Sequence, residues 1–268
     1  MAQRTLALLG ANGLLGSRFQ HYLAGNANFR IVPLRHAEAD ITQTDALFSA
    51  LKNIKPDWVI NCTAFLNTDR CEKEPENSYR VNFLAVRNLA QRLPDLGARL
   101  IHFSTDYVFD GKTGGYTEDS TAHPLSYYGL HKYLADEAIL ASGAEAYILR
   151  VASVMGAGPG KPDLVKALLG RVSKGARELE VVEELQISVS TPQFIVNTAA
   201  RLMETQPAFG LYNTVAQGQT SWLAAAREAF SELGLNIPFK PVAADAFPRL
   251  AARPMKSWLQ TGKLESVA

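Results

Sequence analysis

Leu6-Ala7-Leu8-Leu9-Gly10-Ala11-Asn12-Gly13-Leu14-Leu15-Gly16 is a short apolar run that stops at a glycine, with two more glycines at three-residue intervals. An uninterrupted apolar run of this length reads as a strand covered on both faces, the habit of parallel sheets. From Leu14 to Leu23 the apolar spacing becomes helical. Strand, glycine turn and helix form the context in which a dinucleotide binds. The spacing here is G-x-x-G-x-x-G, whereas the common fingerprint is G-x-G-x-x-G. The physics carries over. Glycine lets the backbone turn sharply and approach a pyrophosphate, while the helix N-terminus offers amide donors and partial positive charge. Gly10, Asn12, Gly13, Leu14, Leu15 and Gly16 are therefore candidate cofactor contacts. The alternative is a plain strand-to-helix turn.

The alternation continues outward. Strands are expected at Ile31–Leu34, Trp58–Asn61, Leu100–Phe103 and Ala146–Leu149, with helices at Asp45–Asn53, Pro75–Arg92 and within Pro124–Ser142. Pro33 inside the second strand points to a sheet edge or a bulge. Strands separated by helical segments predict an α/β fold, a doubly wound parallel sheet of Rossmann-like type. Beyond Val151 the pattern loosens into a smaller interleaved α/β substrate lobe. Helices are expected at Leu164–Gly175, Gln193–Glu204 and Ser221–Gly234, with a strand at Leu211–Val215. The expected division is a dinucleotide-binding domain at 1–152, to which segments around 186–215 return, and a mainly substrate-binding lobe at 153–268. The breaker-rich stretch Gly156–Pro162 is either a lid or a surface connection. Lys161, Lys166, Arg171, Lys174 and Arg177 could meet a diphosphate or simply line a solvated face.

Composition narrows the class. The 268 residues, 47% hydrophobic and 20% charged, suit a globular protein with a sizeable core. A net charge of +1 gives no reason to expect nucleic acid or a membrane surface as partner. No apolar run approaches the roughly 20 residues of a membrane span, and the start lacks the features of a secretion signal. Cys62 and Cys71 fit no zinc or redox spacing, and the five histidines are scattered, so no structural metal is expected. Free thiols without a secretion signal point to the cytoplasm. A small-molecule substrate is the expected partner, with a homodimer possible in addition.

NAD sites usually carry an acid about twenty residues after the glycine turn. Here the second strand ends Leu34-Arg35-His36. Arg35 suits a 2′-phosphate, with Arg18 as a second cation, and favours NADP(H); the alternative is an exposed arginine with no ligand. Asp40-Ile41 is a candidate adenine wall. Cys62, in an apolar strand end, reads as a small core residue, and Cys62-Thr63-Ala64 counts among the cofactor contacts.

In Ser126-Tyr127-Tyr128-Gly129-Leu130-His131-Lys132, Tyr128 and Lys132 lie four apart and share a helix face. An ammonium beside a phenol favours the phenolate, so Lys132 is expected to lower the Tyr128 pKa and ready it for proton transfer. That chemistry belongs to carbonyl reduction or alcohol oxidation. Tyr127 and His131 share the same spacing, but lysine is cationic at neutral pH and histidine mostly is not. A lone Tyr-x-x-x-Lys is weak; its position after a glycine turn and a strand ending Ser104-Thr105 strengthens it.

With these residues the chain resembles the extended short-chain dehydrogenase/reductases, and within them the dTDP-4-dehydrorhamnose reductase group. The resemblance rests on Gly10–Gly16, Lys55-Pro-Asp-Trp-Val-Ile-Asn61, Ser104-Thr-Asp-Tyr-Val-Phe-Asp-Gly111, Pro124 through Lys132, Arg253-Pro-Met-Lys-Ser257 and Lys263-Leu264. It implies a catalytic set of Thr105, Tyr128 and Lys132 acting with NADPH on the C4 keto group of a nucleotide-linked deoxy sugar. Tyr128 would protonate the oxygen, Thr105 would orient the carbonyl, and Lys132 would hold the nicotinamide ribose. The resemblance also implies substrate contacts at Asp106, Val108, Phe109, Ser153, Met155 and Arg253. Asn82 matches a superfamily position near the nicotinamide, or is a helix asparagine packed against a loop.

Some positions depart from the pattern. Thr105 is followed by Asp106-Tyr107, without the Asp-Glu of the related 4,6-dehydratases, which counts against dehydration. Where the reductases typically read Arg-Thr-Ser-Trp-Val-Tyr, this chain reads Arg150-Val-Ala-Ser153-Val-Met155, and the later Gln-Phe-Gly-x-Pro-Thr pattern appears as Gln186-Ile-Ser-Val-Ser-Thr191-Pro192. Loss of an aromatic wall changes pocket shape, which leaves the sugar open. The rival readings are an epimerase with tightly held NAD, and a non-catalytic binding subunit like the regulatory subunit of methionine adenosyltransferase.

Overall fold

The structure, a computed structural model, describes residues 3–156, 163–216 and 218–266. The strands in chain order are β1 (Arg4–Leu9), β2 (Phe29–Leu34), β3 (Trp58–Asn61), β4 (Arg99–Thr105), β5 (Ala146–Val151), β6 (Ser153–Val154), β7 (Leu179–Val182), β8 (Gln186–Ile187), β9 (Val189–Ser190), β10 (Gly210–Asn213), β11 (Thr220–Ser221) and β12 (Phe239–Val242). The helices are α1 (Leu14–Tyr22), α2 (Thr44–Ile54), α3 (Thr68–Lys73), α4 (Pro75–Tyr79), α5 (Ala85–Arg92), α6 (Tyr127–Ala141), α7 (Leu164–Val172), α8 (Pro192–Thr205), α9 (Trp222–Glu232) and α10 (Gly262–Glu265). A π-helical turn at Arg80–Leu84 joins α4 to α5, so the single helix expected over Pro75–Arg92 is interrupted.

Six strands form one sheet in the order β10-β5-β4-β3-β1-β2, every pairing parallel. The two-residue period of a strand explains its two covers. Ala7 and Leu9 face one way, into a core with Leu47 and Leu51 of α2, Leu89 of α5 and Ile139 of α6. Leu6 and Leu8 face the other way, onto Phe19 of α1 and Ile195, Ala199 and Leu202 of α8. β2 is an edge strand, which accounts for Pro33: a residue without an N–H is tolerated where no further strand pairs.

A second core joins α7, α9, β7 and β12 through Leu168, Leu179, Leu223 and Phe230. β7 pairs with β12, β8 with β11, and β6 with β9. Of the breaker-rich stretch read as a lid or a surface connection, 157–162, with Lys161, lies outside the described residues. Among the described residues, no helix is long and apolar enough to cross a membrane.

The strand order reverses between β1 and β3, and a ligand crevice opens at the carboxyl ends of strands at such a point. Gly10, Asn61 and Thr105 all stand at that edge.

Candidate active site

The glycine turn is built as a cradle. Gly10 has φ +71°, a region that favours glycine, and a Cβ there would lie 3.1 Å from the Cys62 backbone. A Cβ on Gly16 would collide with the Gly10 carbonyl oxygen. The Gly10 and Ala11 amides donate to the Leu34 carbonyl at 3.1 and 3.3 Å, and Gly13 donates back to Gly10. The first-turn amides of Leu14, Leu15 and Gly16 have no carbonyl one turn earlier within α1, which leaves them for an anion. Asn12 is exposed beside them. Arg35 is exposed just past β2, held by Glu38 at 3.4 Å. These residues fit a dinucleotide. Asp40 is partly exposed, bonded to Thr42; Ile41 is closed into the core beside Leu47 and Phe48, so its side chain is packing and not a pocket wall. Cys62, Thr63 and Ala64 border the turn, Thr63 lying against Gly10. Burial pushes the Cys62 thiol up, which keeps it unreactive.

Thr105 ends β4 and caps the short 3₁₀ turn that follows, its Oγ1 accepting from the Tyr107 amide at 3.2 Å. Ser126 caps α6 in the same way, accepting from Gly129 N. Gly129 was not singled out in the sequence, yet it brings the two pieces together. A Cβ there would collide with the Tyr107 carbonyl oxygen, so only glycine lets the first turn of α6 press onto the end of β4. A glycine inside a helix costs about 1 kcal/mol relative to alanine, and that local inconsistency was the available signal.

This approach sets Tyr128 beside Thr105. Burial pushes the Tyr128 phenol far above its usual range, opposed by the neighbouring Thr105 side chain. The expected lowering by Lys132 is corrected here: Lys132 Nζ stands 2.9 Å from His102 Nε2, buried with it in the sheet–helix interface. Burial lowers the Lys132 pKa to about 8, opposed by the Asp136 carboxylate one turn along. Asp136 in turn pairs with Arg150 at 3.2 Å and accepts from Ser104 Oγ at 2.8 Å. Two residues of β4 span about 6.6 Å and four residues of α6 about 6 Å, so His102 and Ser104 meet Lys132 and Asp136 in step.

The substrate candidates separate. Val108 and Phe109 have 0% exposure and belong to a small core with Tyr116 and Leu259; their side chains do not line the site. Phe109 stacks on Tyr116 and lies beneath Arg150. Asp106 is buried too. It accepts from Thr105 Oγ1 at 3.2 Å and from Ser257 Oγ at 2.5 Å, tying the C-terminal segment to the end of β4. Burial raises its pKa to about 6 against those bonds. Ser153, on β6, and Met155, just past its end, are half-buried.

Arg253 lines a cavity of about 450 Å³ with Arg171, Arg249, Met255, Trp222 and Phe247. Its guanidinium lies 5.7 Å over the Trp222 ring, and its buried Nε has no hydrogen-bond partner. The Tyr107 ring meets the Tyr128 ring edge to face at 5.8 Å. Burial raises the Tyr107 phenol to about 12, and the Arg253 charge pulls it back.

Two sequence alternatives resolve. Asn82 accepts from Phe65 N at 2.8 Å and donates to Phe65 O at 3.1 Å, a clasp on the loop after β3. His131 bonds Ser78 Oγ and stacks on Tyr127, so that pair packs against α4 and away from Thr105.

Known proteins resemble this chain over nearly its full length. The RmlD substrate binding domain family matches residues 4–268. A dTDP-4-dehydrorhamnose reductase from Aggregatibacter actinomycetemcomitans is 31% identical over 97% of this chain and 92% of its own length. One from Mycolicibacterium smegmatis is 32% identical over 95% of this chain and 77% of its own. The crystal structure of dTDP-4-dehydrorhamnose reductase from Bacillus anthracis in complex with NADP superposes with a TM-score of 0.93 at 28% identity, covering 99% of this chain and 93% of that one. A match over nearly every residue, on a sheet whose carboxyl edge gathers a glycine cradle, a threonine and a buried tyrosine, makes this chain a member of the RmlD substrate binding domain family.

Proposed function

We propose that the protein is an NADPH-dependent dTDP-4-dehydrorhamnose reductase acting on the C4 keto group of a nucleotide-linked deoxy sugar. The observation that carries this reading is the buried Tyr128, pressed by Gly129 onto the end of β4 where Thr105 stands, at the sheet edge that also holds the glycine cradle. NADPH, when bound, supplies the hydride. Leu14, Leu15 and Gly16 offer amides to its pyrophosphate and Arg35 takes the 2′-phosphate. Thr105 turns its hydroxyl hydrogen from Asp106 to the substrate carbonyl and orients it. Tyr128 gives its proton to the same oxygen as negative charge grows there. A phenol held far above its usual range stays protonated until that charge appears, which suits a donor. Lys132 holds the nicotinamide ribose.

Arg253, with Arg249 and Arg171 around an aromatic-lined cavity, suits the diphosphate and base of the sugar nucleotide. In this reading residues 1–152, with 186–215 returning, serve the cofactor, and 153–268 mainly the substrate. Exposed Tyr79 and Tyr127 flank the His131 ring on α4 and α6, and a homodimer would cover that face. Free Cys62 and Cys71 suit a reducing cytoplasm.

The test is NADPH oxidation with dTDP-4-keto-L-rhamnose. Wild type turns over, and Tyr128→Phe loses on the order of 10²–10⁴ in kcat while still binding NADPH. Absence of wild-type turnover despite NADPH binding rejects the substrate.

A further inference from the structure

Asn61 and His102 are register partners in the β3–β4 pairing, and both are fully buried. Asn61 Oδ1 accepts from the Thr63 amide at 3.0 Å and from Thr63 Oγ1 at 2.6 Å. A backbone amide can only donate, so it fixes which end of the Asn61 amide is oxygen. Asn61 Nδ2 then faces His102 Nδ1, at 3.2 Å, and donates to it. A neutral imidazole that accepts at Nδ1 carries its proton on Nε2. That Nε2–H points at Lys132 Nζ, 2.9 Å away. An ammonium has no lone pair to receive it; a neutral amine does. Every bond of the chain therefore runs one way, from Thr63 through Asn61 and His102 to an uncharged Lys132.

We propose that His102 is a positioning residue in a reversible hydrogen-bond chain, Thr63–Asn61–His102–Lys132, in which the charge on Lys132 and the direction of the chain change together and the seated cofactor selects the charged form. When Lys132 gains one proton from solvent, Nζ becomes a donor to His102 Nε2. The imidazole stays neutral and carries its proton on Nδ1. The Asn61 amide turns over, so its oxygen accepts from Nδ1 and its NH₂ faces Thr63 Oγ1. The Thr63 amide and hydroxyl hydrogen lose their acceptor and are released on the residue whose methyl lies 3.2 Å from where a Cβ on Gly10 would stand. No other proton is gained or lost. The charge at the nicotinamide end is thereby tied to donors at the pyrophosphate end.

The charged surroundings are few. Asp136 on α6 favours the ammonium, but it is already engaged by Arg150 of β5 and Ser104 of β4. Burial keeps His102 itself neutral, reinforced by Lys132. The Asp106, Tyr107 and Tyr128 groups cluster at Thr105.

The cofactor half of this proposal rests on the reductase reading; the pH half does not. Long-range proton–nitrogen NMR correlations distinguish the two imidazole tautomers, with His102→Gln assigning the signal. In the free protein His102 is expected as the Nε2–H tautomer at about pH 9 and as Nδ1–H at about pH 6. NADP⁺ added at about pH 9 should drive it to Nδ1–H, and should bind about tenfold more weakly there than at about pH 7. Asn61→Asp, with acceptors only, should hold Nδ1–H throughout and abolish that dependence. One unchanging tautomer across pH, or with and without bound NADP⁺, overturns the proposal. If NADP⁺ perturbs no signal at all, the reductase reading fails instead, and the pH arm still decides the chain.

Discussion

Replacing Lys132 by methionine separates the cost of burying a charge from the worth of its contacts. Burial lowers the Lys132 pKa from 10.5 to about 8. At about 1.4 kcal/mol per pH unit, that drop converts to about 3 kcal/mol lost by the folded state. A base depressed by folding carries this penalty in full below its folded value, and the penalty vanishes above its unfolded one. It is therefore present at about pH 7 and gone by about pH 10.5. Methionine is similar in length and carries no charge, so it removes the penalty. It also strips His102 Nε2 of its hydrogen-bond partner, whichever of the two donates, a loss of about 1–3 kcal/mol at every pH. The two effects nearly cancel at about pH 7, and only the loss remains at about pH 10.5. The quantity to measure is the difference: the variant's stability relative to wild type should fall by about 3 kcal/mol between those pH values. Urea unfolding of the cofactor-free proteins, with matched m-values, reads it directly. Groups away from Lys132 titrate equally in both proteins and drop out; His102 and Asp136, which feel its charge, are the neighbours to follow. A relative stability independent of pH would mean that Lys132 has its ordinary pKa in the fold, and would refute the argument.

Gly129→Ala should force α6 away from the Tyr107 carbonyl by on the order of 1 Å, enough to cost roughly 10²-fold in kcat with NADPH binding intact; unchanged kcat would show that the close approach is dispensable. Arg35→Ala should weaken NADPH about tenfold, the loss of one exposed charge-assisted bond, and leave NADH unaffected; an equal effect on both cofactors would remove Arg35 from the 2′-phosphate. Arg253→Ala should raise KM for the sugar nucleotide about tenfold or more with little change in kcat; an effect on kcat alone would place Arg253 at the reacting end.

The central sheet was legible because buried parallel strands are apolar runs and the helices between them carry their own period; even Pro33 marked an edge, as β2 is. The two-residue strands β6, β8, β9 and β11 have no length over which a period could appear, and each pairs with a distant segment. The same distinction runs through the site. Tyr128 and Lys132 are four apart on one helix, a local relation that one sequence states outright. Val108 and Phe109 share a motif with Thr105, but a 3₁₀ turn follows the threonine and sends both side chains into a core. Sequence adjacency says nothing of that direction. His102 and Asn61 each read as an ordinary polar residue in an apolar strand. Their meaning lies in a register, Asn61 opposite His102 across β3 and β4, and in the matched rise of β4 and α6 that delivers Lys132 to the ring. Neither relation is periodic within one element, so no scan along the chain could find it. The partner of Lys132 was therefore visible only once the sheet was assembled. The assembled neighbour then reversed the electrostatic expectation: Lys132 is turned toward an imidazole, and the Tyr128 phenol is governed by its own burial.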